Sequence, residues 1–387
     1  MYFTDEPEHL TLLRDTLRRF LAAELPPAKA RQCDRDKTFD RQSFRRLAEL
    51  GVCGLTIAPE YGGQGRDLVA AVAVIEELSR HGPALAAPFI HSAFYGGVNI
   101  GESGSEAQKR ELLPKLARGE IMFAYGLSEP DVGGDLASVT TRARIEGDRL
   151  LIDGCKRWMT GARFADWYYC LVRSDAGAPR YRNLSLVLVP SDAAGLSLHD
   201  IEHSGLRYAE TCDVHFDGVS VPLQNIVGGP EGWNQGWKKL AGPSLDVEKL
   251  EITACALGFA SGAVELAWRY AQERTQFGKP ICAHQSVRHD LVDARTQLQA
   301  CRHMLYHAAW LANEGRPCSV ETSMAKLFVG DTAVQIVLKC QQVMGAYGTA
   351  PDYDMERYVR DLLVMPIVGG SSKMQKNNIA ARLKLPE

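Results

Sequence analysis

The chain has 387 residues, 45% hydrophobic and 24% charged, with 44 basic against 47 acidic side chains and a formal net charge of −3. Such a composition suits an ordinary globular protein with room for two or three packed units. It lacks the basic excess that nucleic acid or an anionic membrane surface would call for, so neither is expected as a partner.

The ten cysteines are scattered without a C-x-x-C pair, the pattern of reduced thiols. Met1-Tyr2-Phe3-Thr4-Asp5-Glu6 has no basic region leading into an apolar core. No apolar run is expected to approach the ~18 residues that span a bilayer. The expectation is a cytoplasmic chain without membrane insertion.

In chain order, Leu10, Leu13, Leu17, Phe20 and Leu21 recur at helical spacing over 5–24, with Thr4 as a candidate N-cap and Pro26-Pro27 as a stop. Residues 41–50 and the apolar run from Leu68 to Leu78 also read as helical. Over 105–118, Leu112, Leu113 and Leu116 share one face opposite Lys109, Arg110, Lys115 and Arg118. From Ile121 the period shortens. Strand-like runs stand at 150–152, 167–172, 184–189 and 212–216, separated by turn residues. Beyond Gly228-Gly229-Pro230-Glu231-Gly232, long helices are expected at about 244–273, 284–313, 320–346 and 372–383. Small residues such as Ala254, Ala256, Gly258 and Ala260 allow close helix packing there. Helices, then strands, then helices give an α+β protein of three domains, 1–120, 121–225 and 226–387.

One loop stands out: Tyr125-Gly126-Leu127-Ser128-Glu129-Pro130-Asp131-Val132-Gly133-Gly134-Asp135. Ser128 and Asp131 are backbone-bonding residue types, Pro130 fixes one φ, and Gly133-Gly134 lets the main chain approach a large ligand. Exposed N–H groups in such a turn suit an anion such as phosphate. Lys156-Arg157-Trp158-Met159-Thr160-Gly161 follows at short range. His303 and His307 lie four apart near Cys301, a zinc-compatible spacing, but no third ligand has motif spacing and no metal is expected. Neither G-x-S-x-G nor a P-loop is present.

These two segments resemble the flavin-binding segments of the acyl-CoA dehydrogenase family, usually T-E-P-x-x-G-S-D and K-x-W-I-T-N. Further segments in the family's order are Ala58-Pro59-Glu60-Tyr61-Gly62-Gly63, Gly205-Leu206-Arg207, Phe216-Asp217-Gly218-Val219-Ser220-Val221-Pro222, Arg274-Thr275-Gln276-Phe277-Gly278-Lys279-Pro280, Gln342-Val343-Met344-Gly345 and Arg360-Asp361. The resemblance runs from the first helix to the last. It implies an N-terminal helical domain, a small middle β-barrel or sandwich, and a C-terminal four-helix bundle. It also implies FAD, with Tyr125, Leu127, Ser128, Trp158 and Thr160 around the isoalloxazine and Gly133 and Gly134 near pyrophosphate or thioester. Arg274, Gln276, Phe277, Gln342 and Gly345 of a neighbouring subunit would reach the adenosine half, implying a dimer or tetramer. Ser371 and Lys373 join the cofactor set. Gly134 and Gly161 stand where Ser and Asn are common.

The implied reaction is α,β-dehydrogenation of an acyl-CoA thioester, with electrons leaving to an electron-transferring flavoprotein. An α-proton needs a base, and a carboxylate in a dry pocket suits it. Many family members carry that Glu in a Y-E-G-T-S segment; Gly369 occupies its position here. Other members carry it within D-x-E-R on the first bundle helix, where Leu245-Asp246-Val247-Glu248 matches and makes Glu248 the candidate base. Asp246 reads as an N-cap, and Glu251 lies about 300° around the helix from Glu248. The Gly369 N–H remains available to hold the thioester oxygen. A carrier-protein thioester, the reverse enoyl-CoA reduction and a non-catalytic subunit are the alternatives.

Overall fold

The computed structural model describes residues 6–385. The candidate cap Thr4 lies outside them. The first helix, α1 (Glu8–Glu24), starts from Pro7 without a side-chain cap and buries Leu10, Leu17 and Leu21. Pro27 then opens α2 (Pro27–Arg35), where its missing N–H costs nothing. In α3 (Arg41–Glu49) Asp40 caps the Gln42 N–H. Asp67 does the same for Ala70 in α4 (Leu68–His81), whose residues Leu68–Ser79 are all buried. A helix buried on every side must be central. After α5 (Ala86–Ile90) the chain widens into a π-helical stretch, His91–Val98, before α6 (Asn99–Ser103). A Ser105/Gln108 capping box starts α7 (Glu106–Ala117).

Seven strands form one mixed sheet: β1 (Phe123–Gly126), β2 (Arg142–Glu146), β3 (Arg149–Thr160), β4 (Trp167–Arg173), β5 (Leu184–Pro190), β6 (Leu196–Asp200) and β7 (Thr211–Pro222). The order is β1-β4-β2-β3-β7-β6, with β5 on β4. Only β1–β4 and the single β2–β4 pairing are parallel. The long strands β3 and β7 slip register twice, the second time between Lys156 and Met159. That bulge bends the strand and re-aims Trp158, which takes φ 61°.

After the short α8 (Gly236–Lys239) the chain enters α9 (Leu245–Glu273) through a π-turn broken at Gly242. A hairpin, β8 (Thr275–Gln276) and β9 (Lys279–Pro280), leads to α10 (Gln285–Asn313), α11 (Ser319–Met344), α12 (Met355–Val364) and α13 (Ser372–Arg382). By length and composition α9 is apolar enough to cross a membrane, against the expectation that no run approaches this. Its apolar window has mean hydropathy 1.4 but is 83% buried inside the protein. It packs on α4, α10 and α11, so the N- and C-terminal helices share one core.

Helix α12 was hidden because its buried face includes Arg357 and Asp361 beside Met355, Tyr358 and Leu362. Asp361 accepts the Leu206 N–H at 2.6 Å and the Tyr208 hydroxyl at 3.2 Å. Two segments far apart in sequence, Gly205-Leu206-Arg207 and Arg360-Asp361, thus clasp the β part to the bundle. Replacing Asp361 by Ala strands the buried Tyr208 hydroxyl and the half-buried Leu206 N–H, and leaves Arg357 without this carboxylate. A loss of about 3 kcal/mol is expected, read as a lower thermal midpoint of the full chain.

Candidate active site

A cavity of about 570 Å³ lies where the sheet, the π-helical stretch, α9 and the turn before α13 meet. Tyr125 reaches it from β1, Leu127, Ser128, Gly133 and Gly134 from the loop after that strand, and Trp158 and Thr160 from the bulged end of β3. Glu248, Gly369 and Ser371 line the opposite side. Segments far apart in sequence converge here.

The loop is held in place by a buried ion pair. Lys156 Nζ donates to Glu129 at 2.9 Å and to the Leu127 carbonyl at 3.2 Å, with both charged side chains almost wholly enclosed. Glu129 also accepts from the Thr140 and Thr141 N–H groups and the Thr140 hydroxyl. Burial pushes this carboxyl up, but Lys156 and the threonine donors more than offset it, leaving it at about 2. The Arg157 N–H meets the Ser128 carbonyl at 2.9 Å. Both charged residues sat inside the motifs, yet nothing in their spacing marked them as partners.

Glu248 retains some accessible surface, directed to the cavity, while its surroundings exclude bulk water. Burial raises its carboxyl to about 7, with Lys249 and Lys326 pulling the other way. Lys326 is itself committed, donating to the Met365 carbonyl at 2.7 Å. Asp246 is not a cap: no side chain caps α9. The π-turn already supplies helical backbone, and the Asp246 carboxylate instead accepts from Lys249 at 2.7 Å and from Ser319 of α11.

Gly369 has φ 61°, and a side chain there would meet Ile252 Cγ1 at 2.9 Å. Its N–H makes no hydrogen bond among the described residues. Gly161 has a comparable reason: at φ 77°, an added Cβ would sit 2.3 Å from His91 Cε1. The His91 ring occupies the room an Asn would need.

The comparisons with known proteins bear on this arrangement. Residues 7–120, 124–219 and 234–384 match the family descriptions "Acyl-CoA dehydrogenase, N-terminal domain", "middle domain" and "C-terminal domain". The chain belongs to the acyl-CoA dehydrogenase family. An acyl-CoA dehydrogenase of Bacillus subtilis (strain 168) is 34% identical, covering 97% of each chain. A 3-(aryl)acrylate reductase of Clostridium sporogenes is 33% identical over 99% of this chain and 100% of its own. A glutaryl-coenzyme A dehydrogenase solved with glutaryl-CoA superposes with a TM-score of 0.94 at 30% identity, covering 100% of this chain and 98% of that one.

Acyl-CoA dehydrogenases are FAD-dependent oxidoreductases acting on CH–CH groups, and this cavity fits a flat aromatic ring. Trp158 keeps a strained backbone while 53% of it stays exposed, and a Cβ built on Gly133 meets only open space. Ser371 is partly committed, since its hydroxyl caps α13 through the Met374 N–H. Lys373 is exposed and outside the cavity lining.

The remaining acyl-CoA dehydrogenase motif residues stand elsewhere in the chain. Arg274, Gln276 and Phe277 follow the far end of α9, about 40 Å from Glu248 at 1.5 Å per residue. Phe277 is 92% exposed on the hairpin, and the Arg274 guanidinium lies 5.6 Å from the Tyr347 ring. Gln342 and Gly345 are exposed at the end of α11.

Because the Glu129 carboxyl is held below its ordinary 4.5, it stabilises the fold above that pH and loses the contribution as pH falls toward about 2. Glu129→Gln should flatten this acid limb of the stability curve. It should also lower stability at neutral pH by about 3–5 kcal/mol by leaving Lys156 buried without its counter-charge. Chemical unfolding measured across pH checks both.

Proposed function

We propose that Glu248 removes the α-proton of an acyl-CoA thioester and that the free Gly369 N–H steadies the thioester oxygen as charge develops. The observation that carries this reading is a carboxyl with a raised proton affinity facing the cavity that the two flavin motifs line. Bound FAD supplies the hydride acceptor. Tyr125, Leu127, Ser128, Trp158 and Thr160 hold its ring, with Gly133, Gly134, Ser371 and Lys373 toward its polar part.

Arg274, Gln276, Phe277, Gln342 and Gly345 complete the cofactor site of a neighbouring copy, as a homodimer or a tetramer built from it. Their distance from Glu248 and the exposure of Phe277 support that division. An electron-transferring flavoprotein takes the electrons, and the setting is cytoplasmic fatty acid metabolism. The same residues, with Glu248 protonated, serve the reductive direction, in keeping with the reductase relative. A carrier-protein thioester would use them unchanged.

Anaerobic bleaching of the flavin by acyl-CoA thioesters tests the assignment. Glu248→Gln should bind thioester but bleach ~10²–10⁴-fold more slowly; equal rates would remove Glu248 from the role. Since the ionised carboxyl is the active form, the bleaching rate should rise with pH and level off above about 7. Gly369→Glu should not supply a second base. The left-handed backbone and Ile252 disfavour any side chain there, so bleaching should fall and the variant should unfold at lower temperature.

A further inference from the structure

Glu251, one turn beyond Glu248, is 1% exposed, and neither carboxyl oxygen has a hydrogen-bond partner among the described residues. An unpaired carboxylate is among the costliest groups to enclose, so such a residue keeps its proton or meets a ligand. Burial first, and then the charge of Glu248, drive it well above the ordinary range. Tyr95 faces it from the π-helical stretch, its hydroxyl beside that carboxyl.

Tyr95 also lines the cavity, its ring stacked on Tyr125 at 3.9 Å. The Tyr125 hydroxyl has a partner in Asn99, whereas the Tyr95 hydroxyl is set against the Glu251 carboxyl. His91 sits beside it, ring centroids 4.9 Å apart. Its Nδ1 meets the Phe123 carbonyl at 2.7 Å, which makes Nδ1 the protonated nitrogen and leaves Nε2 an acceptor without a partner among the described residues. Burial lowers the imidazole to about 4, so it stays neutral at working pH.

We propose that this enzyme's acyl compartment selects an acyl group carrying an uncharged hydroxyl beyond Cβ, which donates to His91 Nε2 and accepts from the Tyr95 hydroxyl, with Glu251 behind Tyr95. A hydroxyl is the group that satisfies a neighbouring acceptor and donor together. A terminal carboxylate is disfavoured. Arg157 is the only Lys or Arg among the described lining residues, and it lies over Trp158 and 3.4 Å from Asp213. An acid group would thus enter beside Glu248 without a free cation. This inference rests on the acyl-CoA reading of the cavity.

The test compares thioesters matched in size: γ-hydroxybutyryl-CoA against valeryl-CoA, and δ-hydroxyvaleryl-CoA against hexanoyl-CoA and glutaryl-CoA. Bleaching kcat/KM and calorimetric affinity are measured on the flavin-loaded enzyme. At least one hydroxyacyl thioester should exceed its methyl counterpart by ~10-fold or more in both readouts, with glutaryl-CoA weakest, because a site built around a hydroxyl leaves its own polar groups unpaired without one. In Tyr95→Phe, which keeps the stacked ring, that ratio should fall toward one.

Ratios near one in the native enzyme, or glutaryl-CoA outrunning the hydroxyacyl thioester, would overturn the inference while leaving Glu248 as base. An undiminished ratio in Tyr95→Phe would overturn the role of Tyr95. If no thioester bleaches the flavin, the dehydrogenase reading of Glu248 fails, and the affinity ratios alone decide the hydroxyl preference.

Discussion

A carboxyl group kept dry on a central helix is the constraint on which the site depends. Solvated, Glu248 would be an ordinary acid, too weakly basic for carbon chemistry. What raises it is enclosure: α4 and α9 pack on one another, the π-helical stretch crosses above, and the turn carrying Gly369 closes from the far side. The shared helical core is therefore part of the electrostatics of the cavity. Lys249 and Lys326 moderate the effect, and each is tied to another group, Asp246 and the Met365 carbonyl.

The opposite wall is made by a different device. A sheet is poor at presenting a large side chain sideways, since its residues alternate strictly between two faces. The bulge in β3 breaks that alternation at Trp158, and the Glu129–Lys156 pair fixes the neighbouring loop to the same strand. Enclosed charge of this kind contributes little net stability compared with apolar packing, but it permits only one placement of the loop. Such precision matters where a planar ring has to meet a carboxyl carried by another domain.

Much of the fold was legible because helices and strands advertise their period. The long helices and the switch to strands at Ile121 could be read from spacing alone. Three kinds of feature could not. Strands β1, β2 and β6 are only four or five residues long, too short to show a period. Helix α12 buries two charged residues on its inner face. Asp246 looked like a cap because an acid at a helix start usually is one, and a preceding π-turn removed the need.

By itself the sequence determined the family, and with it the three-part α+β architecture and the flavin chemistry, because ordered motifs survive any ignorance of contacts. It also determined that position 369 has no side chain to act as a base. Only the tertiary structure decided which charges meet, since opposite partners such as Glu129 and Lys156, or Asp361 and the Leu206 N–H, are brought together by packing rather than by spacing. It decided too that His91 and Tyr95 share a compartment, with Glu251 behind Tyr95. Desolvation is a property of everything around a group, and no local stretch of chain encodes it.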